Sequence, residues 1–161
     1  MTIHTNSLGQ PIGAPLPDWT PASFPPRSPI DGQWCRLEPI NADKHAQDLY
    51  DSFAADESGA GWTYLSYEPF TDFAPFRAWC EQSETNDERL YHTIIDRKTN
   101  KALGVASLMR IDPAVGCIEV GDIHYGPALQ QTPLSTEAMY LLMRRVFEEL
   151  GYRRYEWKCD S

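Results

Sequence analysis

Apolar and polar positions alternate with a period of two in four stretches of the chain. These stretches are residues 34–40, 90–96, 103–111 and 117–125. Successive side chains of a strand point to opposite faces, so this alternation predicts β-strands with one buried face. Turn-forming residues at 97–100 and 112–116 join the last three of them. The pattern therefore predicts an antiparallel meander, and residues 152–159 are predicted as one more strand.

Apolar residues recur every three or four positions in three other stretches, which predicts helices. The first covers 42–54, with Asn41 as its N-cap residue, and the second covers 73–83. The third follows Thr132, a good N-cap residue, has Pro133 at its first position and ends near Gly151. Its apolar stripe is predicted to be Met139, Leu142, Met143, Val146 and Leu150. The predicted element order is β-α-α-β-β-β-α-β.

The start of the chain differs from the rest in its proline content. Seven of the 13 prolines fall between Pro11 and Pro29. Proline removes a backbone donor and fixes φ, so such a segment favours an extended arm over a helix or a central strand. We therefore expect residues 1–31 to form an arm that lies across its own domain, and residues 32–161 to form that domain.

The alternation breaks within the stretch 117–125. Ile118 and Val120 lie on one face of the strand, whereas Ile123 begins an alternation of the other parity. The register therefore slips by one residue at Gly121 and Asp122, which predicts a β-bulge, with glycine as its usual occupant. A bulge leaves backbone groups unpaired, and these groups can bind a ligand.

A short polar loop and a helix start follow this strand directly. The amides of a first helical turn have no acceptor within the helix and point outward. A helix start of this kind favours an anion, so the segment from Gln130 to Thr136 is a candidate anion site.

Three motifs in this order resemble a known family. They are Glu119-Val120-Gly121 on the strand, Gln-Gln-Thr-Pro-Leu-Ser at 130–135 in the loop, and Thr136-Glu137-Ala138 in the helix. The chain resembles the GNAT superfamily of acyl-CoA-dependent N-acetyltransferases, in its RimJ/RimL-like branch, over residues 32–160. The segment 62–70 also looks like a signature of one subgroup. The resemblance implies an α/β (α+β) fold with a mixed, mostly antiparallel sheet and flanking helices.

The resemblance implies acetyl-CoA as the acetyl donor, bound between the bulged strand and the last strand. Backbone amides near Ile123 and Tyr125 would hold its pantetheine arm, and an amide at the bulge would stabilise the oxyanion. The residues implied to hold its pyrophosphate are Gln130, Gln131, Thr132, Leu134, Ser135 and Thr136. Two positions depart from the family pattern, because Pro133 stands where glycine is expected and Ser135 where glycine or alanine is expected. Proline removes one amide donor, and the Ser135 hydroxyl can replace part of it.

The amine acceptor must lose a proton before it attacks the thioester, so a general base is needed. The resemblance implies Glu119 as the first candidate, since the family carries a carboxylate on this strand. His124 is the second, because an imidazole with a pKa near about 6.5 is largely neutral at pH 7. Asp122 is a third. The structural alternatives are a cross-strand ion pair for Glu119 and a buried wall position for His124.

Aromatic residues between the first two helices are candidate acceptor contacts. They are Trp62, Tyr64 and Tyr67. In the resembled fold this loop covers the acceptor pocket, but the same residues are equally typical of an apolar patch that closes the core. The acceptor stays open between a protein N-terminus and a small-molecule amine.

Charge and composition narrow the classes of partner. Lys and Arg number 14 and Asp and Glu 23, a formal charge of −9, which excludes nucleic acid as the main partner. No apolar run approaches the roughly 20 residues of a membrane span, and the first residues lack a signal-peptide pattern. The four cysteines lie far apart, which favours reduced thiols, no metal site and a cytoplasmic location.

The resemblance also implies a helix and two strands beyond the last predicted strand, including the acid that protonates the leaving thiolate. We therefore expect the GNAT-like fold to lack its C-terminal part, and the strand at 152–159 to be an exposed edge where a homodimer can form. The alternative to acetyl transfer is a non-catalytic module that binds acyl-CoA or self-associates.

Overall fold

The computed structural model describes residues 3–159. Its strands are β1 His4–Thr5, β2 Pro11–Ile12, β3 Ile30–Asp31, β4 Cys35–Pro39, β5 Arg89–Asp96, β6 Ala102–Asp112, β7 Cys117–Tyr125 and β8 Arg154–Trp157. Its helices are α1 Ala42–Ala54, α2 Phe73–Glu84 and α3 Pro133–Arg144, with a 3-10 turn at Ala60–Trp62 and a π-helical turn at Arg145–Glu149. None of the helices in this described part is long and apolar enough to cross a membrane.

Six strands form one sheet in the order β3-β4-β5-β6-β7-β8, and β1 and β2 form a separate hairpin. Neighbours from β3 to β7 are antiparallel, whereas β8 runs parallel to β7. The predicted mixed, mostly antiparallel fold and its element order are confirmed from β4 onward. The three short strands before β4 were not predicted, and β3 belongs to the segment that its prolines assign to the arm.

The sheet carries apolar layers on both faces. One cluster packs α3 against the sheet and includes Leu108, Ile118 and Leu142. The other packs α1 and α2 against the opposite face and includes Leu49, Phe76 and Val105. Strand β7 therefore lies between two helical layers, which fixes which of its side chains face each layer.

The helix starts follow their local signals. Asn41 Oδ1 accepts a hydrogen bond from the amide of Lys44 at 3.1 Å, and Thr132 Oγ1 accepts one from the amide of Ser135 at 3.3 Å. The apolar stripe of α3 differs from the prediction at one position. Met143 is 40 % exposed, whereas Leu141 is buried. The reason is that Met143 borders an open groove beside β8 instead of the core.

The described part of the proline-rich segment packs on the domain. The guanidinium of Arg145 is buried and donates to the carbonyls of Ser28 at 2.7 Å and Pro29 at 2.9 Å. Trp19 Nε1 donates to the carbonyl of Ala114 at 2.8 Å. These bonds hold the segment against the turn between β6 and β7 and against the π-helical turn that follows α3.

Candidate functional site

Strands β7 and β8 stay paired for only four residues. Their register runs from Cys117 opposite Arg154 to Val120 opposite Trp157. After this point the register ends, and Ile123 and Trp157 are shared by two cavities that lie on either side of the opening. Ile123 and Trp157 therefore lie at the border between the two cavities.

The predicted bulge in β7 is confirmed at the point where the strands part. Val105 of β6 lies opposite His124 and Ser107 lies opposite Gly121, so one residue of β6 faces two residues of β7. The role expected for Gly121 is different, because Asp122 takes the left-handed conformation with φ 47°. Gly121 is needed for space instead, since a Cβ atom there would overlap the sulfur of Met109.

Side chains from neighbouring strands contact the bulge. Asp122 Oδ2 accepts a hydrogen bond from the hydroxyl of Tyr91 at 2.7 Å and pairs with Arg89 Nη1 at 3.2 Å. The Ser107 hydroxyl donates to the carbonyl of Gly121 at 3.0 Å. Burial, followed by the bond to Asp122, raises the pKa of Tyr91. Tyr91 therefore stays protonated and acts as a donor.

The cavity on the α1 and α2 side has a volume of about 550 Å³. Its lining includes Tyr64, Leu65, Asp122, Ile123, Trp157 and Lys158. The groove on the α3 side has a volume of about 580 Å³ and is mainly apolar. Its lining includes Ile123, Tyr125, Ser135, Thr136, Met139 and Trp157. An extended ligand in this groove would have one end at the start of α3 and the other at the bulge.

The start of α3 uses part of its hydrogen-bonding capacity internally. The hydroxyl of Ser135 donates to the carbonyl of Thr132 at 2.8 Å, and Ser135 is only 9 % exposed. The Thr132 hydroxyl donates to the carbonyl of Leu129 at 2.7 Å. Since these two hydroxyls cap the helix, a ligand at this place would meet the amide of Leu134 and the exposed Thr136.

The two glutamines before α3 shape the loop. Gln130 Nε2 donates to the carbonyl of Tyr125 at 3.1 Å and so ties the loop to the end of β7. Gln131 has φ 56°, a left-handed conformation that reverses the chain before the helix. Gln130 also lines a smaller cavity with Ile123, His124 and Tyr125.

Glu119 is buried on β7 and is held by two cations. Its Oε2 accepts from Lys158 Nζ at 2.6 Å and from Arg110 Nη1 at 3.0 Å. Arg110 belongs to β6, the neighbouring strand. Its contact with Glu119 is therefore the cross-strand ion pair that was the structural alternative to a catalytic role. The carboxylate lies close to the bulge, because its Oε1 would be 3.7 Å from a Cβ atom at position 121.

His124 is 2 % exposed and lies between aromatic rings. Its ring stacks on Phe53 with centroids 3.8 Å apart and meets the edge of Trp62 at 4.2 Å. Burial lowers the pKa of His124 to about 4, although the nearby Asp56 carboxylate opposes the shift. The imidazole is therefore neutral at pH 7, and among the described residues its Nδ1 has no hydrogen-bond partner.

The three candidate acceptor aromatics separate into two environments. Tyr64 is 79 % exposed and lines the cavity on the α1 and α2 side. Trp62 and Tyr67 pack against each other with centroids 6.0 Å apart and extend the apolar cluster under α2. Tyr64 is thus placed to contact a ligand, whereas Trp62 and Tyr67 form the wall behind it.

Glu137 had no predicted role beyond its place in the motif at 136–138, yet it joins two distant parts of the chain. Its Oε1 accepts from the amide of Gln33 at 2.6 Å, and its Oε2 accepts from the amides of Trp34 and Cys35 at 2.7 Å each. Burial opposes ionisation, but these amides dominate and lower the pKa of Glu137. The only sequence signal was a glutamate at the second turn of α3, which by itself does not indicate its partners.

Together the bulge, the parting strands and the helix start define a cleft for a long, extended ligand beside a second cavity. Comparison with protein families identifies the class of protein that has this cleft. The sequence model of the acetyltransferase (GNAT) domain matches residues 35–161, so the chain belongs to the GNAT acetyltransferase family. GNAT acetyltransferases use acetyl-CoA, and the family, fold and acetyl donor expected from the sequence are confirmed.

Solved structures give the same result. A GCN5-related N-acetyltransferase from Brucella melitensis is 41 % identical, with a TM-score of 0.85, over 88 % of this chain and 64 % of that one. A GNAT-family protein from Chromobacterium violaceum is 36 % identical, with a TM-score of 0.82, over 94 % of this chain and 75 % of that one. The chain thus spans 64 % of the length of the Brucella protein.

A more distant structure shares the fold alone. The microcin C7 self-immunity acetyltransferase MccE, solved in complex with acetyl-CoA and AMP, is 20 % identical with a TM-score of 0.62. It matches over 80 % of this chain and 71 % of its own. A search of curated protein sequences found no match.

Proposed function

We propose that this chain transfers an acetyl group from acetyl-CoA to a primary amine by direct attack of the amine on the thioester. The observation that supports this proposal most directly is the parting of β7 and β8 after Val120 and Trp157. At this point a groove suited to the donor and a cavity suited to the acceptor share Ile123 and Trp157, and the bulge borders both. Members of the matched family carry out acetyl transfer.

The donor groove fits an acyl-CoA from both ends. The side chains of Ile123, Tyr125 and Met139 form an apolar wall for the pantetheine arm. At the start of α3, the amide of Leu134 and the hydroxyl of Thr136, whose 3.5 Å contact with the Thr132 carbonyl is long, would receive the pyrophosphate, which the positive end of the helix favours. Pro133 contributes no donor, so fewer amides hold the anion than in a glycine-rich loop.

The reaction makes two demands on the bulge region. A backbone amide of the bulge donates to the carbonyl oxygen as negative charge develops there, and a fixed dipole does this without reorganisation. The amine nitrogen forms the new amide bond while the carbon–sulfur bond breaks. The proton of the amine passes to a base, and CoA leaves as its thiolate.

Glu119 and His124 remain the candidate bases of this proposal, with Asp122 as the third. Glu119 Oε1 would lie 3.7 Å from a Cβ atom at position 121, but two cations share the Oε2 of Glu119. His124 offers an unprotonated nitrogen at pH 7, but it lies behind Trp62. The two candidates differ in their expected effects. Loss of His124 removes an acid limb of kcat/KM near pH 4, whereas Glu119→Gln lowers kcat/KM and leaves that limb in place.

We assign the acceptor to the cavity that contains Tyr64 and Asp122. A protein N-terminus, as in the RimJ/RimL-like branch, and a small-molecule amine are both primary amines that this open cavity admits. The proposed setting is the cytoplasm, where acetyl-CoA is available, and a homodimer through the edge strand β8 is part of the proposal.

The first experiment is a thermal melt of the chain with and without acetyl-CoA, followed by thiol release with a panel of amines. A ligand that binds only the folded state raises stability by about 2.7 kcal/mol at one hundred times its Kd. Thr136→Asp places a negative charge at the proposed pyrophosphate site and should remove the shift. Thr99→Asp, in the β5–β6 turn, is the matched control and should leave the shift unchanged. Equal shifts in both variants would contradict the assigned groove.

A non-catalytic acyl-CoA-binding module is the second candidate. The engagement of Glu119 by two cations and the burial of His124 favour it. This candidate predicts a thermal shift with acetyl-CoA and no thiol release with any amine, whereas an acetyltransferase gives both.

A further inference from the structure

Strands β5 and β6 send side chains to a single point of the bulge. Tyr91 and Arg89 come from β5, across β6, and both bond Asp122 Oδ2, while Ser107 of β6 bonds the carbonyl of Gly121. We propose that the contacts of Tyr91 and Arg89 with Asp122 make these three side chains positioning residues of acetyl transfer, because they hold the bulge amides in the orientation that the transition state needs. This inference rests on the proposed function.

The backbone at Asp122 supports this assignment. A non-glycine residue with φ 47° is strained, and such strain persists only where the surroundings fix it. Glycine would take this conformation without strain, yet glycine stands at the preceding position. The carboxylate at position 122 therefore contributes something that glycine cannot, and within residues 3–159 it forms its hydrogen bond with Tyr91 and its ion pair with Arg89.

The geometry also separates this role from that of a general base. The Asp122 side chain is 11 % exposed, and its Oδ2 is shared between a hydroxyl donor at 2.7 Å and a guanidinium at 3.2 Å. A carboxylate held in this way is a fixed anchor for the backbone next to it. The bulge faces both cavities, so a small rotation at position 122 would turn its amides away from the reacting carbonyl.

The test compares two substitutions that each remove one buried hydroxyl. Tyr91→Phe removes the bond to Asp122, and we expect kcat to fall about 10- to 100-fold, as misplaced reacting groups do. The acetyl-CoA-induced thermal shift should change little, since Tyr91 does not line the donor groove and every side chain that lines it is kept. Tyr152→Phe is the control, because the Tyr152 hydroxyl is buried and has no partner in the described chain. If both variants keep the parent kcat, the proposal is overturned.

Two substitutions at position 122 distinguish the contribution of the Asp122 side chain from that of the left-handed backbone conformation. Asp122→Gly accepts the left-handed backbone but loses the anchor, so kcat should fall as in Tyr91→Phe. Asp122→Asn keeps an acceptor for Tyr91 and should restore part of the activity with an unchanged pH profile. Parent-like kcat in Asp122→Gly, or a displaced acid limb in Asp122→Asn, would overturn the positioning role.

A spectroscopic readout separates this inference from the proposed function. In two-dimensional amide NMR spectra, Tyr91→Phe should displace the resonances of Asp122 and Ile123, and Tyr152→Phe should not. If no amine gives thiol release with the parent chain, the proposed function fails. Unchanged resonances at positions 121–123 in Tyr91→Phe would overturn the anchor itself, with or without turnover.

Discussion

The two halves of β7 serve different purposes. Residues 117–120 are paired with β6 on one side and with β8 on the other, and Ile118 and Val120 are buried in the core. Residues 121–125 begin at a bulge, keep only β6 as a registered neighbour within the described chain, and border both cavities. One strand thus supplies stability with its first half and binding surface with its second.

This difference shows how a fold makes a cleft without a gap in its core. The change between the two halves of β7 depends on two residues. Gly121 leaves space for the Met109 side chain, and at Asp122 the alternation of side chains moves to the opposite face of the strand. Because the change is local, substitutions in the first half should act on stability, whereas substitutions in the second half should act on ligand binding.

The largest expected effect is on the core half. Ile118 is fully buried, so Ile118→Ala should lower the free energy of unfolding by about 2–5 kcal/mol through lost contacts and a cavity. Urea denaturation measures this change. The acetyl-CoA-induced shift of the variant should equal that of the parent. Ile123→Ala is the matched variant in the second half of β7. It should lower the free energy of unfolding less than Ile118→Ala does, and it should reduce the acetyl-CoA-induced thermal shift. Equal effects at both positions would contradict the division.

Acid pH is expected to have the next largest effect. Burial lowers the pKa of both His92 and His124 to about 4, below the ordinary value of 6.5. Between pH 6.5 and 4 the unfolded chain binds more protons than the native one, so stability falls as the pH falls, by roughly 1–3 kcal/mol per histidine. His124→Phe keeps an aromatic ring beside Phe53 and should make the free energy of unfolding depend less on pH. A parent-like slope in a series of denaturation curves would contradict the prediction.

A smaller effect is expected at the transition itself. A Cβ atom at position 121 would overlap the Met109 sulfur, so Gly121→Ala should lower stability by about 1–2 kcal/mol. Since the overlap is with a flexible side chain, combining it with Met109→Ala should give less than the sum of the single losses. A double-mutant cycle by chemical denaturation measures this coupling, and additive losses would show that the space at position 121 is not what matters.

The smallest effect on stability is expected at the cavity rim. Tyr64 is 79 % exposed, so Tyr64→Ala should change the free energy of unfolding by no more than about 0.5 kcal/mol. It should raise KM for the amine acceptor and leave that for acetyl-CoA unchanged. Trp62→Ala, from the buried wall, serves as the contrasting variant and should lower stability. An unchanged acceptor KM in Tyr64→Ala would remove this residue from the acceptor site.

Local signals account for what the sequence predicted well. The bounds of β7 agree with the alternation of its side chains, and the start of α3 agrees with Thr132 and Pro133. The register shift at the bulge was also predictable, because the alternation of apolar side chains moves from one face of the strand to the other there. Each of these features depends on residues that are close neighbours along the chain.

Contacts between distant residues could not be predicted in this way. Alternation located the bulge but did not show that Asp122 takes the strained conformation. Nor did it show that Asp122 accepts a hydrogen bond from Tyr91, which lies 31 positions earlier in the chain. Helical periodicity placed Met143 in the stripe, but an open groove lies against that face. The two cations on Glu119 come from another strand and from beyond β8. Such partners depend on the three-dimensional arrangement, which periodicity does not contain.

The carboxylate of Glu137 makes the start of β4 a reporter of the state of α3. It binds three amides that lie 102 to 104 positions earlier in the chain. Whenever the first turns of α3 open, the amides of Gln33, Trp34 and Cys35 lose their acceptor and become free to exchange hydrogen with solvent. A ligand that holds the helix start closed should therefore slow deuterium uptake at these three amides, which are far from it in sequence.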